Sequence, residues 1–210
     1  MAQRKQYQKI QSFSEYFGEM DIDEEQKKER TSLAESIKKT VGYIFTAIAV
    51  LKFLDRLLDR EELLDSLLTR VKDDIRDNGI KLDDYPELET YIDNRFADIL
   101  DLTIENLDKE DDDFNLSEDR KDLIAVNESN SVYNNKEFAD AIKKGYTHKT
   151  WVTMMDSRVR HTHEIVNGER IGIYDLFSVG ESAMAYPRDF SHDASMDEIA
   201  NCRCCVKYSR

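Results

Sequence analysis

From Leu54 to Leu107 apolar residues recur every three or four positions, a period that an α-helix turns into one continuous face. Leu54, Leu57, Leu58, Leu64, Leu68, Val71 and Ile75 make a first stripe, widened by Leu63 and Leu67, in a helical pattern reaching back to Thr31. Asn78-Gly79 stops it. A second helix opens near Pro86, with Asp83 or Asp84 as its cap, and carries Leu88, Ile92, Phe96, Ile99, Thr103 and Leu107 on one side. Two such helices can pack antiparallel through their stripes. A Leu-rich stripe is a packing face, and no chemistry is attached to it. With 7 Gly and 2 Pro in 210 residues, long helices fit better than a turn-rich all-β chain.

The charge is unevenly placed. Residues 55–119 carry 8 Lys+Arg against 23 Asp+Glu, and both flanks are close to neutral. A field of that sign repels nucleic-acid phosphates, so an acidic helical arm either meets a basic protein surface or stays solvated. The first 30 residues are polar, with Glu24–Arg30 the extreme, and read as a solvated helix or a frayed tail. No secretory signal is expected from Met-Ala-Gln-Arg-Lys-Gln. The apolar run Val41–Leu51 is too short to span a bilayer and precedes Lys52, Asp55 and Arg56. Three cysteines within Cys202–Cys205 offer no disulfide framework, which points to a reducing cytosol during synthesis.

The last third changes character. Ser117 is a candidate N-cap followed by Glu118-Asp119, and Leu123, Val126, Asn130 and Tyr133 keep helical spacing. Asn134-Asn135 is a candidate break, after which Phe138 and Ile142 resume the stripe and Gly145 ends it. Thr150–Met154 alternates like a strand. Asp156–Val166 is a candidate short helix stopped by Asn167-Gly168, a tight turn needing positive φ. Ile171–Ile173 is a candidate strand, Tyr174–Asp193 reads as irregular, and Ser195-Met196-Asp197-Glu198 has capping-box spacing. A final strand is expected over Cys204–Tyr208, with Trp151 and Phe177 as core anchors. The predicted class is α+β: a polar stretch 1–30, an acidic helical arm 31–115, and a small α+β domain 116–210 with a few short strands.

The order of motifs in residues 120–210 resembles the phage Mu F-like head morphogenesis proteins, also called minor head or minor capsid proteins. The pieces are Ile124-Ala125-Val126-Asn127-Glu128 on the entry helix, Trp151 with Asp156-Ser157-Arg158-Val159-Arg160, and His163-Glu164-Ile165-Val166-Asn167-Gly168. Pro187-Arg188-Asp189 and Asn201-Cys202-Arg203-Cys204 complete the series. The entry helix departs from the family pattern at Val126-Asn127, where Arg-Thr is usual. The resemblance implies a virion protein of low copy number, at the portal vertex or in the head interior. Its implied partners are the portal protein and other head or scaffold proteins, and some relatives bind DNA; no membrane partner is implied.

Cys202 and Cys204 are two apart and point the same way if extended, with Cys205 on the other face. Together with a distant His they are ligand types that zinc prefers. The metal candidates are His163, Cys202 and Cys204, with a fourth ligand from Asp156, Asp189 or His192. The alternative is that both thiols are small buried hydrophobes and His163 bonds a carboxylate or carbonyl. His161 and His163 diverge by about 200° on a helix, so only one joins the site, and the family match selects His163. His148, His161 and His192 are read as surface residues. Asp156, Arg158 and Arg160 could cluster with Asp189. In a catalytic version His163 is a general base and Arg158 steadies a phosphoryl transition state, which gives a nuclease-like effector. In the simpler version Asp156 caps a helix and the arginines pair with acids or carbonyls. The sequence holds no nucleophile elbow, no phosphate-cradling Gly loop and no two-metal carboxylate set. A non-enzymatic assembly protein is therefore the expected function, with a nuclease-like or DNA-binding protein delivered with the genome as the alternative.

Overall fold

A computed structural model describes residues 22–54, 60–108 and 117–210. Residues 1–21 of the polar opening, the run Asp111-Asp112-Asp113, and the side chains of Leu54, Leu57, Leu58, Leu63, Leu67 and Leu107 lie outside the described residues. Helix α1 spans Glu24–Leu54. Asp23 caps it, accepting the Gln26 N–H at 2.8 Å, while Gln26 Oε1 accepts the Asp23 N–H at 3.4 Å. Glu24–Arg30 is thus helical, and Arg30 is fully buried.

Helix α2 (Arg60–Asp77) ends at Asn78-Gly79, with Gly79 at φ +83°. Asp83 and Asp84 lie in a 3-10 turn, Leu82–Asp84, and do not cap the next helix. The residue before Pro86 is Tyr85, whose carbonyl accepts the N–H groups of Leu88 and Glu89. Helix α3 then covers Pro86–Asp108. Val71, Ile75, Leu88, Ile92, Phe96 and Ile99 are buried, as their stripes require, with Leu64 and Leu68 packed alongside. Val41, Ile44, Phe45 and Ile48 of α1 join the same core. Each such side chain contributes about 1.5–3 kcal/mol by leaving water. No helix among the described residues is long and apolar enough to cross a membrane.

Helix α4 (Glu118–Lys143) starts where Ser117 accepts the Arg120 N–H at 3.2 Å. It runs unbroken through Asn134-Asn135, contrary to the expected break. The reason is tertiary: the Asn134 amide donates to the carbonyls of Pro187 and Cys204, and the Asn135 amide donates to the Tyr186 hydroxyl. Residues 124–134 are all buried, because one side packs on α1 and the helical core while the polar side faces the C-terminal domain. Gly145, at φ +70°, closes the helix as its N–H reaches the Ile142 carbonyl.

Beyond it, strand β1 (His148–Val152) lies between β2 (Arg170–Gly172) and β5 (Cys205–Ser209) in an antiparallel sheet ordered β2-β1-β5. Trp151 faces Val206 across the ladder, and Val152 faces Cys205. The alternation buries Lys149 and Trp151 together on one face. The helix expected over Asp156–Val166 is confined to α5, His161–Ile165. Ahead of it Asp156–Val159 is a turn closed by the Val159 N–H on the Asp156 carbonyl. The stretch expected to be irregular contains a hairpin, β3 (Phe177–Val179) paired with β4 (Ser182–Met184). Helix α6 (Met196–Ile199) follows Ser195, whose hydroxyl accepts the Asp197 N–H. The architecture is α+β, a helical bundle carrying a small domain of short antiparallel strands.

Candidate metal centre

Three segments meet over the buried face of β1. Helix α5 presents His163 on its inner side and leaves His161 in solvent, as the angle between adjacent-but-one helical positions demands. The segment leading into β5 brings Cys202 and Cys204 to one cluster and Cys205 to another, with Ala34, Val126 and Met154. The reactive atoms of His163, Cys202 and Cys204 all lie within 4.8 Å of one another. His163 Nδ1 stands 3.4 Å from the Cys204 sulfur and 3.6 Å from that of Cys202. The three residues are only 1%, 2% and 3% exposed. Trp151 and Phe177 wall the site, the indole meeting the imidazole edge-on at 5.5 Å.

The donors polarise one another. Burial opposes ionisation of the Cys202 thiol, but hydrogen bonds from Cys204 and His163 outweigh it and hold Cys202 well below the ordinary thiol range. Cys204 is pushed up, first by its hydrogen bond to Cys202 and then by burial. Burial also disfavours the charged His163 ring, yet the neighbouring Cys202 reverses that and raises its pKa.

The group could hold a metal ion. Bonds of about 2.0 Å to nitrogen and 2.3 Å to sulfur place the N and S corners of a tetrahedron about 3.5 Å apart. The observed separations of 3.4 and 3.6 Å match that edge. On the far side of the ring, His163 Nε2 lies 3.0 Å from Glu198, a residue the sequence pattern marked only as part of a helix cap.

The residues expected as a fourth ligand are engaged elsewhere. Asp156 forms a two-pronged pair with Arg203, 2.7 Å in one arm, and also accepts the Arg158 N–H. Arg203 beside it lowers its pKa to about 2. Asp189 is fully buried and accepts the N–H groups of Ala185 and Ser191 while bonding His192 at 2.6 Å. Asp156 and Asp189 therefore belong to separate networks, not to one charged cluster. Arg160 reaches the Ala200 carbonyl and its own carbonyl starts α5. Arg158 is on the surface.

The remaining motif residues shape the backbone. Asn167 accepts the Thr153 N–H at 2.9 Å, and Gly168, at φ +80°, donates to the Trp151 carbonyl. Pro187 offers its carbonyl to Asn134. Asn201, at φ +56°, accepts from Asn127 at 2.8 Å. The Asn130 amide donates to the carbonyls of both Cys202 and Cys204, pinning the cysteine segment on α4.

A second buried network surrounds Glu128 of the entry helix. It accepts from Tyr91 at 2.6 Å and Arg95 at 3.0 Å, and pairs with Arg188 at 3.4 Å. Arg188 sits at φ +66° and also reaches Ser131 and Asn127. The acid was legible as a motif residue; its cationic partners come from distant segments and were not. A cavity of 560 Å³ opens between α3, α4 and the 185–192 loop beside Tyr91 and Arg95. His163, Cys202 and Cys204 do not line it.

Fold and site together define a small α+β domain closed around a buried His–Cys–Cys group and carried on a helical bundle. The chain belongs to the family described as Phage Mu protein F like protein, whose model matches residues 74–207, well over half its length. The match begins inside α2, so it takes in all of α3 as well as the C-terminal domain. No curated protein and no solved structure matches the chain. Membership points to phage head morphogenesis.

Proposed function

We propose that the chain is a minor head protein of a phage, acting structurally in head morphogenesis at the portal vertex or in the head interior. In this reading the division follows the sequence: an acidic helical arm over 31–115 docks to portal or scaffold, and the domain over 116–210 is held together by a zinc ion on His163, Cys202 and Cys204. The observation that carries it is the sealed His–Cys–Cys group in a chain matched by the Phage Mu F-like model. Ligands this deeply buried suit a cross-link better than a reaction centre. Bound zinc would supply a cross-link between α5 and the entry to β5. The protein's own residues do the rest: Cys202 and Cys204 present thiolates, His163 presents Nδ1, and Asn130 fixes the backbone that carries the thiols.

The test is co-expression of the full chain with portal subunits, followed by affinity purification and elemental analysis. Co-purification and close to one zinc per chain are expected. Absence of portal in the purified material overturns the portal assignment, and metal content near zero overturns the zinc. Incubation with RNA and DNA should give no cleavage; cleavage lost in His163→Ala would replace the structural reading with a nuclease.

A further inference from the structure

We propose that Glu198 is the positioning residue of this centre: clamped by Thr162 and the Gly180 turn, its carboxylate holds the His163 ring with Nε2 outward and Nδ1 facing the two thiols. The purpose of that role rests on the proposed metal reading; its geometry does not.

Glu198 stands three residues after the N-cap Ser195, where a capping-box acid would turn back to the Ser195 N–H. That N–H is already taken, at 2.9 Å, by the hydroxyl of Ser182 in β4. The Glu198 carboxylate is thereby released to point inward, where only 13% of its side chain stays exposed. One oxygen, Oε2, receives both His163 Nε2 at 3.0 Å and the Thr162 hydroxyl at 2.8 Å. The other, Oε1, lies against Gly180, where an added Cβ would stand 2.5 Å away. Gly180 has φ +59°, so the β3–β4 turn needs glycine for its backbone as well as for the room it leaves. The same hairpin thus frees the carboxylate through Ser182 and seats it through Gly180.

An ionised carboxylate only accepts hydrogen bonds, so the nitrogen facing it carries the proton. Nε2 is then N–H, and the lone pair of a neutral ring sits on Nδ1, toward the sulfurs. A carboxylate behind a metal-bound imidazole fixes its tautomer and raises its basicity, and removing it costs about 10–100-fold in metal affinity.

The experiment uses the full, reduced chain as wild type, Glu198→Gln, Glu198→Ala and Gly180→Ala, with circular dichroism to check folding. In metal-free protein labelled with ¹⁵N-histidine, His163 Nε2 should show a one-bond proton that resists exchange. That protection should be lost in Glu198→Ala. Chelator competition with Co²⁺ should give affinities about 10–100-fold weaker for Glu198→Ala and Gly180→Ala, with Glu198→Gln in between because its carbonyl accepts without charge. Should the alanine variants not fold, Glu198→Gln alone decides, since it keeps the side-chain shape. A wild-type ring with its proton on Nδ1 and none on Nε2, or folded variants with wild-type Nε2 protection and affinity, would overturn the role. If the wild type keeps its Nε2 proton, loses it in Glu198→Ala and yet takes up no metal, the zinc reading fails and the positioning role stands.

Discussion

Lys149→Met should stabilise the protein at neutral pH, and the gain should shrink as the pH rises. The Lys149 side chain is fully buried on β1, and its ammonium has no hydrogen-bond partner. Burial is the largest influence on it, only partly countered by Asp189 and Asp175, and its pKa falls from 10.5 to about 8. At 1.36 kcal/mol per unit, that difference is worth about 3 kcal/mol against the charged form. Opposing it are the faces of Phe138 and Phe177, 4.8 and 5.5 Å from the nitrogen. Phenylalanine is a weak partner for a cation, and the two rings return about 1–2 kcal/mol. Desolvation therefore wins, leaving a net cost of about 1–2 kcal/mol at pH 7. The unfolded chain keeps its proton up to about pH 10.4 while the folded chain loses it near 8, so unfolding takes up a proton in between. Wild-type stability must then rise with pH across that window. Urea unfolding of wild type and Lys149→Met, in reductant, at half-unit steps from pH 7 to 10 measures the difference directly. Parallel pH curves, or a methionine variant less stable than wild type at pH 7, would show that the ammonium is satisfied and would refute the reasoning.

Glu128→Ala should cost about 3–5 kcal/mol in urea unfolding, because Arg188 would be left buried without its acid. Asp156 is held low by Arg203, so its contribution is present above its ordinary carboxyl range and is lost as pH falls toward 2. Carboxyl NMR titration should place its midpoint near 2 in the wild type and move it toward 3.8 in Arg203→Gln. Gly168→Ala should cost about 1–2 kcal/mol in thermal unfolding, since the residue sits at φ +80° with open space around it. A cost near zero would mean the turn relaxes.

The long elements were legible because their signals are local. The stripe Leu88, Ile92, Phe96, Ile99 is a repeated side-chain spacing, and Ser117, Gly145 and Gly168 act on neighbouring backbone groups. The Cys-x-Cys spacing likewise announced that both sulfurs share one face. What the sequence does not show depends on partners far along the chain. Asn134 reads as a helix breaker until the carbonyls of Pro187 and Cys204 are brought to it. Strands β3 and β4 have three residues each, too few for a period of two to stand out. Glu198 matches a capping box, and only Ser182, bonded to the Ser195 N–H from thirteen residues before that cap, diverts it to His163. Lys149 gives no sign in the sequence of being buried, since a strand predicted from Thr150 leaves it outside.

The pattern of these distant bonds bears on how the two parts of the molecule act together. Arg30 of α1 donates to the Asn130 side-chain oxygen Oδ1 at 2.7 Å, and the same side-chain amide donates through nitrogen to the backbone carbonyls of Cys202 and Cys204. On the other flank Glu128 joins Arg95 of α3 to Arg188 of the 185–192 loop. Helix α4 is therefore a shared wall, with the helical core on one side and the cysteine segment on the other. Pulling α1 and α3 away would strip Glu128 of Tyr91 and Arg95 in a dry interior, a cost of several kcal/mol, and would take Arg30 from the Asn130 amide that aims both thiols. A partner gripping the acidic helices would thus hold the whole domain, with no flexible joint at α4 to absorb the load. Such coupling would suit the structural role proposed for the chain.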